Sequence, residues 1–141
     1  MEYKYTEIKE EKRYRGCVFS RIYIRYPETV GSECLDAFFR DEALGFYTFL
    51  VEKAAARDEE VFSEYLKNGG RRSAFIPTEY SLKITVVSDA GGILCIKTEV
   101  LSSKDGTATA NKSFSEYFET RTGAPIRRRK AERKKICLKT L

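Results

Sequence analysis

Residues 79–125 constrain the fold more than any other part of the chain. Positions 80–87 alternate apolar and polar residues, and 88–92 (Ser-Asp-Ala-Gly-Gly) supply turn chemistry. Positions 93–101 run back, and 102–106 (Ser-Ser-Lys-Asp-Gly) turn again. Two or three consecutive antiparallel strands follow. Tyr80, Leu82, Ile84 and Val86 share one face, as do Leu94, Ile96, Thr98 and Val100 on the returning strand. The opposite faces carry Ser81, Lys83, Thr85, Lys97 and Glu99, which suits a sheet that is wet on one side. Residues 107–113 are polar but strand-compatible, 116–120 can form a further strand, and Thr122-Gly123 marks a turn.

Upstream, residues 3–8 and 16–26 are rich in β-branched and aromatic side chains and predict two strands, with the charged residues 9–13 as their connection. Pro27 ends the second strand, because it has no N–H for a ladder. A long helical region follows. Ser32 is placed as N-cap, and Leu35, Phe38, Phe39, Phe46, Leu50 and Ala54 recur at helical spacing. Gly45 costs about 1 kcal/mol against Ala inside a helix, which predicts a close neighbour there. A kink or restart is expected near Arg57-Asp58. Val61, Phe62, Tyr65 and Leu66 then continue the stripe until Asn68-Gly69-Gly70 stops it. The expected fold is α+β in two layers, one long helix with this kink packed on a curved antiparallel sheet.

A chain of 141 residues fits one domain with a real core, placed at 1–125, followed by a basic tail at 126–141. The formal charge of +5 is unevenly spread. Residues 126–141 hold eight Lys and Arg against one Glu, a local +7, which leaves −2 for the rest. Residues 28–67 are acidic, with ten Asp and Glu against four Lys and Arg. No run of apolar residues reaches transmembrane length, and the N-terminus lacks the order of a signal peptide. The expected compartment is therefore the cytoplasm unless a leader has been removed.

Several chemistries are excluded by composition. The chain contains no His, so Ser-His and Cys-His catalysis and His-containing zinc sites are out. Neither dinucleotide nor P-loop glycine motifs occur. Cys17, Cys34, Cys95 and Cys137 form no CxxC pair and read as buried free thiols. Gly69-Gly70 before Arg71-Arg72 reads as a helix terminator followed by solvated arginines, not a phosphate cradle. Asp41-Glu42 and Asp58-Glu59-Glu60 read as a solvated helix face, not a catalytic pair. No cofactor and no metal are expected. An enzyme would need convergent carboxylates of perturbed pKa, working with Tyr.

The order of these pieces resembles a known family. A strand ending in Tyr26-Pro27 precedes a helix, positions 93–97 (Ile-Leu-Cys-Ile-Lys) follow a turn glycine, and positions 117–123 (Tyr-Phe-Glu-Thr-Arg-Thr-Gly) form an aromatic strand ending in a Thr-Gly turn. Across residues 14–123 the chain resembles the extracytoplasmic domains of RsiV-type anti-sigma factors and the domain beside the PdaC-type peptidoglycan deacetylase. The resemblance implies a helix on a curved antiparallel sheet used for recognition, with an extracytoplasmic location. In the RsiV type the ligand is lysozyme. Members commonly carry Gly-Ala-His before the aromatic strand, whereas this chain has Gly106-Thr-Ala-Thr-Ala-Asn111, so lysozyme binding carries over to no residue.

The expected function is non-enzymatic binding of a protein or cell-envelope partner. The candidate contacts are Lys83, Thr85, Lys97 and Glu99 on the wet face, or the 102–113 loop. The alternative is a non-specific nucleic-acid or anionic-surface binder working through Arg127, Arg128, Arg129 and Lys130. An exposed strand edge also makes a homodimer an available partner arrangement.

Overall fold

The computed structural model describes residues 3–126. Their order is β1 (Tyr5–Tyr14), β2 (Cys17–Pro27), a long helix, β3 (Thr78–Ala90), β4 (Ile93–Lys104), β5 (Thr107–Glu119) and β6 (Pro125–Ile126). The six strands form one curled sheet in that order, and the helix covers one face. The fold is α+β, as expected. The sheet is antiparallel except between β2 and β3, which run parallel. Parallel neighbours need a crossover connection, and the helix between β2 and β3 is that crossover.

Turn chemistry sets the hairpins. Arg15-Gly16, Gly91-Gly92 and Asp105-Gly106 each place two successive residues at positive φ. That is the two-residue turn whose twist matches paired strands. The charged residues 9–13 are therefore not a connection, as the sequence suggested, but the outer half of β1. An edge strand tolerates this charge because alternate side chains reach water. The 102–113 segment is likewise a tight hairpin within β4 and β5 and not a loop.

A bulge shapes the buried face of β2. Lys12 pairs with Ser20 and Arg13 with Val18, leaving Phe19 as the extra residue. Phe19 and Ser20 are both buried in consequence. Phe19 stacks on Phe62 of the helix, 6.2 Å between centroids. The rest of the core is Ile22, Ile24, Tyr80, Leu82, Ile84, Leu94, Ile96, Val100 and Phe118 beneath Leu35, Phe39, Phe46 and Leu50.

The helix runs as α1 (Glu33–Phe49), a π segment (Leu50–Ala54) and α2 (Ala55–Lys67). Ser32 Oγ caps it by accepting from Leu35 N at 3.4 Å. The stripe Phe46, Leu50, Ala54, Asp58, Phe62 is spaced every four residues and is buried throughout. In a pure α-helix that spacing drifts by about 40° per step. The wider i→i+5 turn takes up the drift and keeps the stripe on the sheet. The break expected near Arg57 is this π segment, one turn earlier. The C-terminus closes with Gly69 N→Leu66 O at 3.1 Å and Gly70 N→Tyr65 O at 2.9 Å, the paired bonds of a Schellman end.

Three expectations need correction. Asp58 does not lie on a solvated face; it is 3% exposed, on the stripe, while Glu59 and Glu60 are exposed. Nothing lies within 4 Å of where a Cβ on Gly45 would stand, so no close neighbour explains that glycine. Burial describes only Cys95 among the three described cysteines, since Cys17 is half-buried and Cys34 exposed.

Candidate functional site

The face of the sheet away from the helix is built in cross-strand rows. Register places Glu11, Arg21 and Glu79 side by side on β1, β2 and β3. The next row is Lys9, Tyr23, Ser81 and Leu101, and the one after is Glu7, Arg25, Lys83 and Glu99. The first two rows line a cleft of about 710 Å³, with Arg13 at its end.

Most charges in these rows are already paired. Arg21 donates to Glu11 Oε2 at 3.1 Å and to Glu79 Oε2 at 3.4 Å, and Arg13 donates to Glu11 Oε1 at 3.0 Å. Tyr23 donates its hydroxyl proton to Glu7. The Arg25 guanidinium lies 3.6 Å from the centre of the Tyr5 ring. Lys9 and Lys83 differ: among the described residues neither has a carboxylate within ion-pair distance, and each ammonium stands 5.8 Å from the centre of the same Tyr23 ring. Leu101 remains 43% exposed on the floor beside them. The cleft thus offers two cations, one aromatic ring and one aliphatic side chain, framed by ion pairs.

The titration behaviour points away from acid–base chemistry. The Arg21 hydrogen bond holds the Glu11 carboxyl below its usual range, and the Tyr23 hydroxyl does the same to Glu7. Lys12 first and Tyr47 second lower Glu10. The hydrogen bond to Glu7 pushes the Tyr23 phenol up. Near neutral pH these carboxylates stay ionised and the phenol protonated, so neither is poised to exchange a proton. No group of three or more His, Cys, Asp or Glu side chains converges among the described residues.

Of the residues picked from sequence, Lys83, Thr85, Lys97 and Glu99 share this open face. Lys83 pairs across strands with Glu99, and Thr85 with Lys97. Lys83 borders the cleft through Tyr23, and the other three stand further out. Arg127, Arg128, Arg129 and Lys130 lie outside the described residues. The residues missed were Lys9, Arg21, Tyr23 and Leu101. The period-two run of charges at Glu7, Lys9, Glu11 and Arg13 was the signal that could have placed β1 beneath them.

The chain matches no protein-family model and no curated protein. Solved structures do share its fold. A DUF3298 family protein from Pseudomonas aeruginosa PAO1 aligns with TM-score 0.53 at 12% identity, over 89% of this chain and 56% of that one. A DUF3298 family member from Bacteroides fragilis NCTC 9343 aligns with TM-score 0.54 at 12% identity, over 88% and 58%. The chain has a DUF3298-like fold. It spans little more than half the length of those proteins. These likenesses speak to architecture and do not carry the RsiV-type assignment. Among the described residues, no helix is long and apolar enough to cross a membrane.

Proposed function

We propose that this fold serves recognition and not catalysis, and that its ligand is a polypeptide segment held in the open-face cleft. The observation that supports this best is the Lys9–Tyr23–Lys83 arrangement beside exposed Leu101. Two ammonium groups without a carboxylate partner suit an acidic side chain, and Tyr23 with Leu101 suits an apolar neighbour. Interfaces commonly combine an apolar anchor with complementary charge. The surrounding ion pairs fix strand register and keep the cleft open. Thr85, Lys97 and Glu99 would form its polar rim.

The test is a selection from a random displayed-peptide library against the full chain. Enriched peptides are expected to carry an acidic residue beside an apolar one, and to lose at least about tenfold in affinity, or about 1.4 kcal/mol, on the Lys9→Glu/Lys83→Glu and Leu101→Glu variants. No enrichment, or peptides indifferent to all three substitutions, would overturn the proposal.

A further inference from the structure

The sheet has an edge whose cover can be named. β6 pairs with β5 only at Tyr117↔Ile126 and Phe118↔Pro125. From Thr107 to Ser115 no described strand lies on that side of β5. Glu119 N donates to Ala124 O at 2.8 Å, whereas Thr120 N donates to Gly92 O on the other side at 2.9 Å. Strand amides alternate in direction, so Ser113, Ser115 and Tyr117 face outward and Phe114, Glu116 and Phe118 face β4. A long edge with outward donors is a site for strand addition. β5 carries few charges to discourage it.

We propose that residues 127–136 of this same chain continue β6 along the open edge of β5. β6 already runs antiparallel to β5, so the chain leaves Ile126 heading along the edge. In unbroken register Arg127 comes opposite Glu116, Arg129 opposite Phe114, and Ile136 opposite Thr107. Fifteen residues follow Ile126, enough to cover the ten positions. Charge favours this occupant. Facing residues share a side of the sheet. Arg127 and Arg129 would thus join Phe118, whose ring lies 5.9 Å from Phe38 of α1. Phe38 lines a shallow groove with Asp41, Glu42 and Gly45. Both carboxylates are exposed, and cations on the added strand would stand beside them. The tail is then part of the sheet, and its arginines face α1 instead of nucleic acid.

Amide hydrogen exchange on the full chain, resolved by NMR, tests this. Ser113 and Ser115 should be protected, and the double variant Arg128→Pro/Lys130→Pro should reduce their protection at least about tenfold. Phe114 and Glu116, which face β4, should change little and so report that the sheet itself is intact. Arg127→Glu/Arg129→Glu should lower the protection of the same two outer amides. The proposal is overturned if Ser113 and Ser115 exchange at open-chain rates in the unaltered chain, or stay protected in the proline variant. Protection that rises with protein concentration would instead identify a second copy as the occupant, and would overturn it too.

Discussion

The Tyr80 hydroxyl donates to Asp58 Oδ2 at 2.6 Å, joining the middle of the sheet to the buried stripe of α2. Both residues are buried, and Arg57 Nη2 reaches the same hydroxyl at 3.5 Å. Removing the donor leaves a buried carboxylate short of a partner. Tyr80→Phe should therefore cost about 1–3 kcal/mol in urea unfolding. Replacing both residues, as in Tyr80→Phe/Asp58→Leu, should recover much of that loss, since no polar group is left stranded. Strict additivity of the two single changes would contradict this coupling.

The pH dependence of stability should show a plateau with two declining flanks. Glu7, Glu10 and Glu11 bind protons less tightly folded than unfolded, all being lowered from 4.5. Their contribution is present above that value and is lost as pH falls through the folded values. Tyr3, Tyr23, Tyr47 and Tyr80 are raised from 10.0, Tyr3 to about 12 by its hydrogen bond to Asp89 and Tyr80 chiefly by burial. Their contribution is complete below pH 10 and is lost as pH rises through the folded values. Urea midpoints should be flat between roughly pH 5 and 9.5 and fall on both sides. A maximum outside that window would contradict the assignment.

Gly45 stands in mid-helix with open space where a Cβ would project, so it carries a helix penalty without a packing gain. Gly45→Ala should stabilise the fold by about 0.5–1 kcal/mol, read from thermal or urea unfolding.

Gly123 behaves oppositely. Its φ is +76°, and a Cβ would meet Cys34 Cβ and Sγ at 3.4 Å and Leu35 Cγ at 3.5 Å. This glycine lets the β5–β6 turn lie against the start of α1. Gly123→Ala should destabilise by about 1–2 kcal/mol from backbone strain alone. An unchanged unfolding midpoint would sink that explanation.

Much of the architecture was legible because it rests on local signals. Alternation from Tyr80 to Val86 and from Leu94 to Val100, Ser32 as cap and Gly69-Gly70 as stop all act within a few residues. What was missed depends on distant partners. Asp58 looks solvated next to Glu59 and Glu60, and only the π segment turns it onto Tyr80. Lys9 and Arg13 look like loop charges until β2 lies beside them. The cleft draws its residues from four strands, so no single stretch of sequence announces it.

If the open face between β1 and β4 is the binding surface, ligand must perturb that face and leave the helix layer alone. NMR shifts of the full chain, backbone and side chain, titrated with a peptide recovered from the library selection, read this out. Saturable changes centred on Lys9, Tyr23, Ser81, Lys83 and Leu101 are expected, with α1 and α2 unmoved. Changes centred on the outer face of α1, with those five residues silent, would refute the assignment of the cleft.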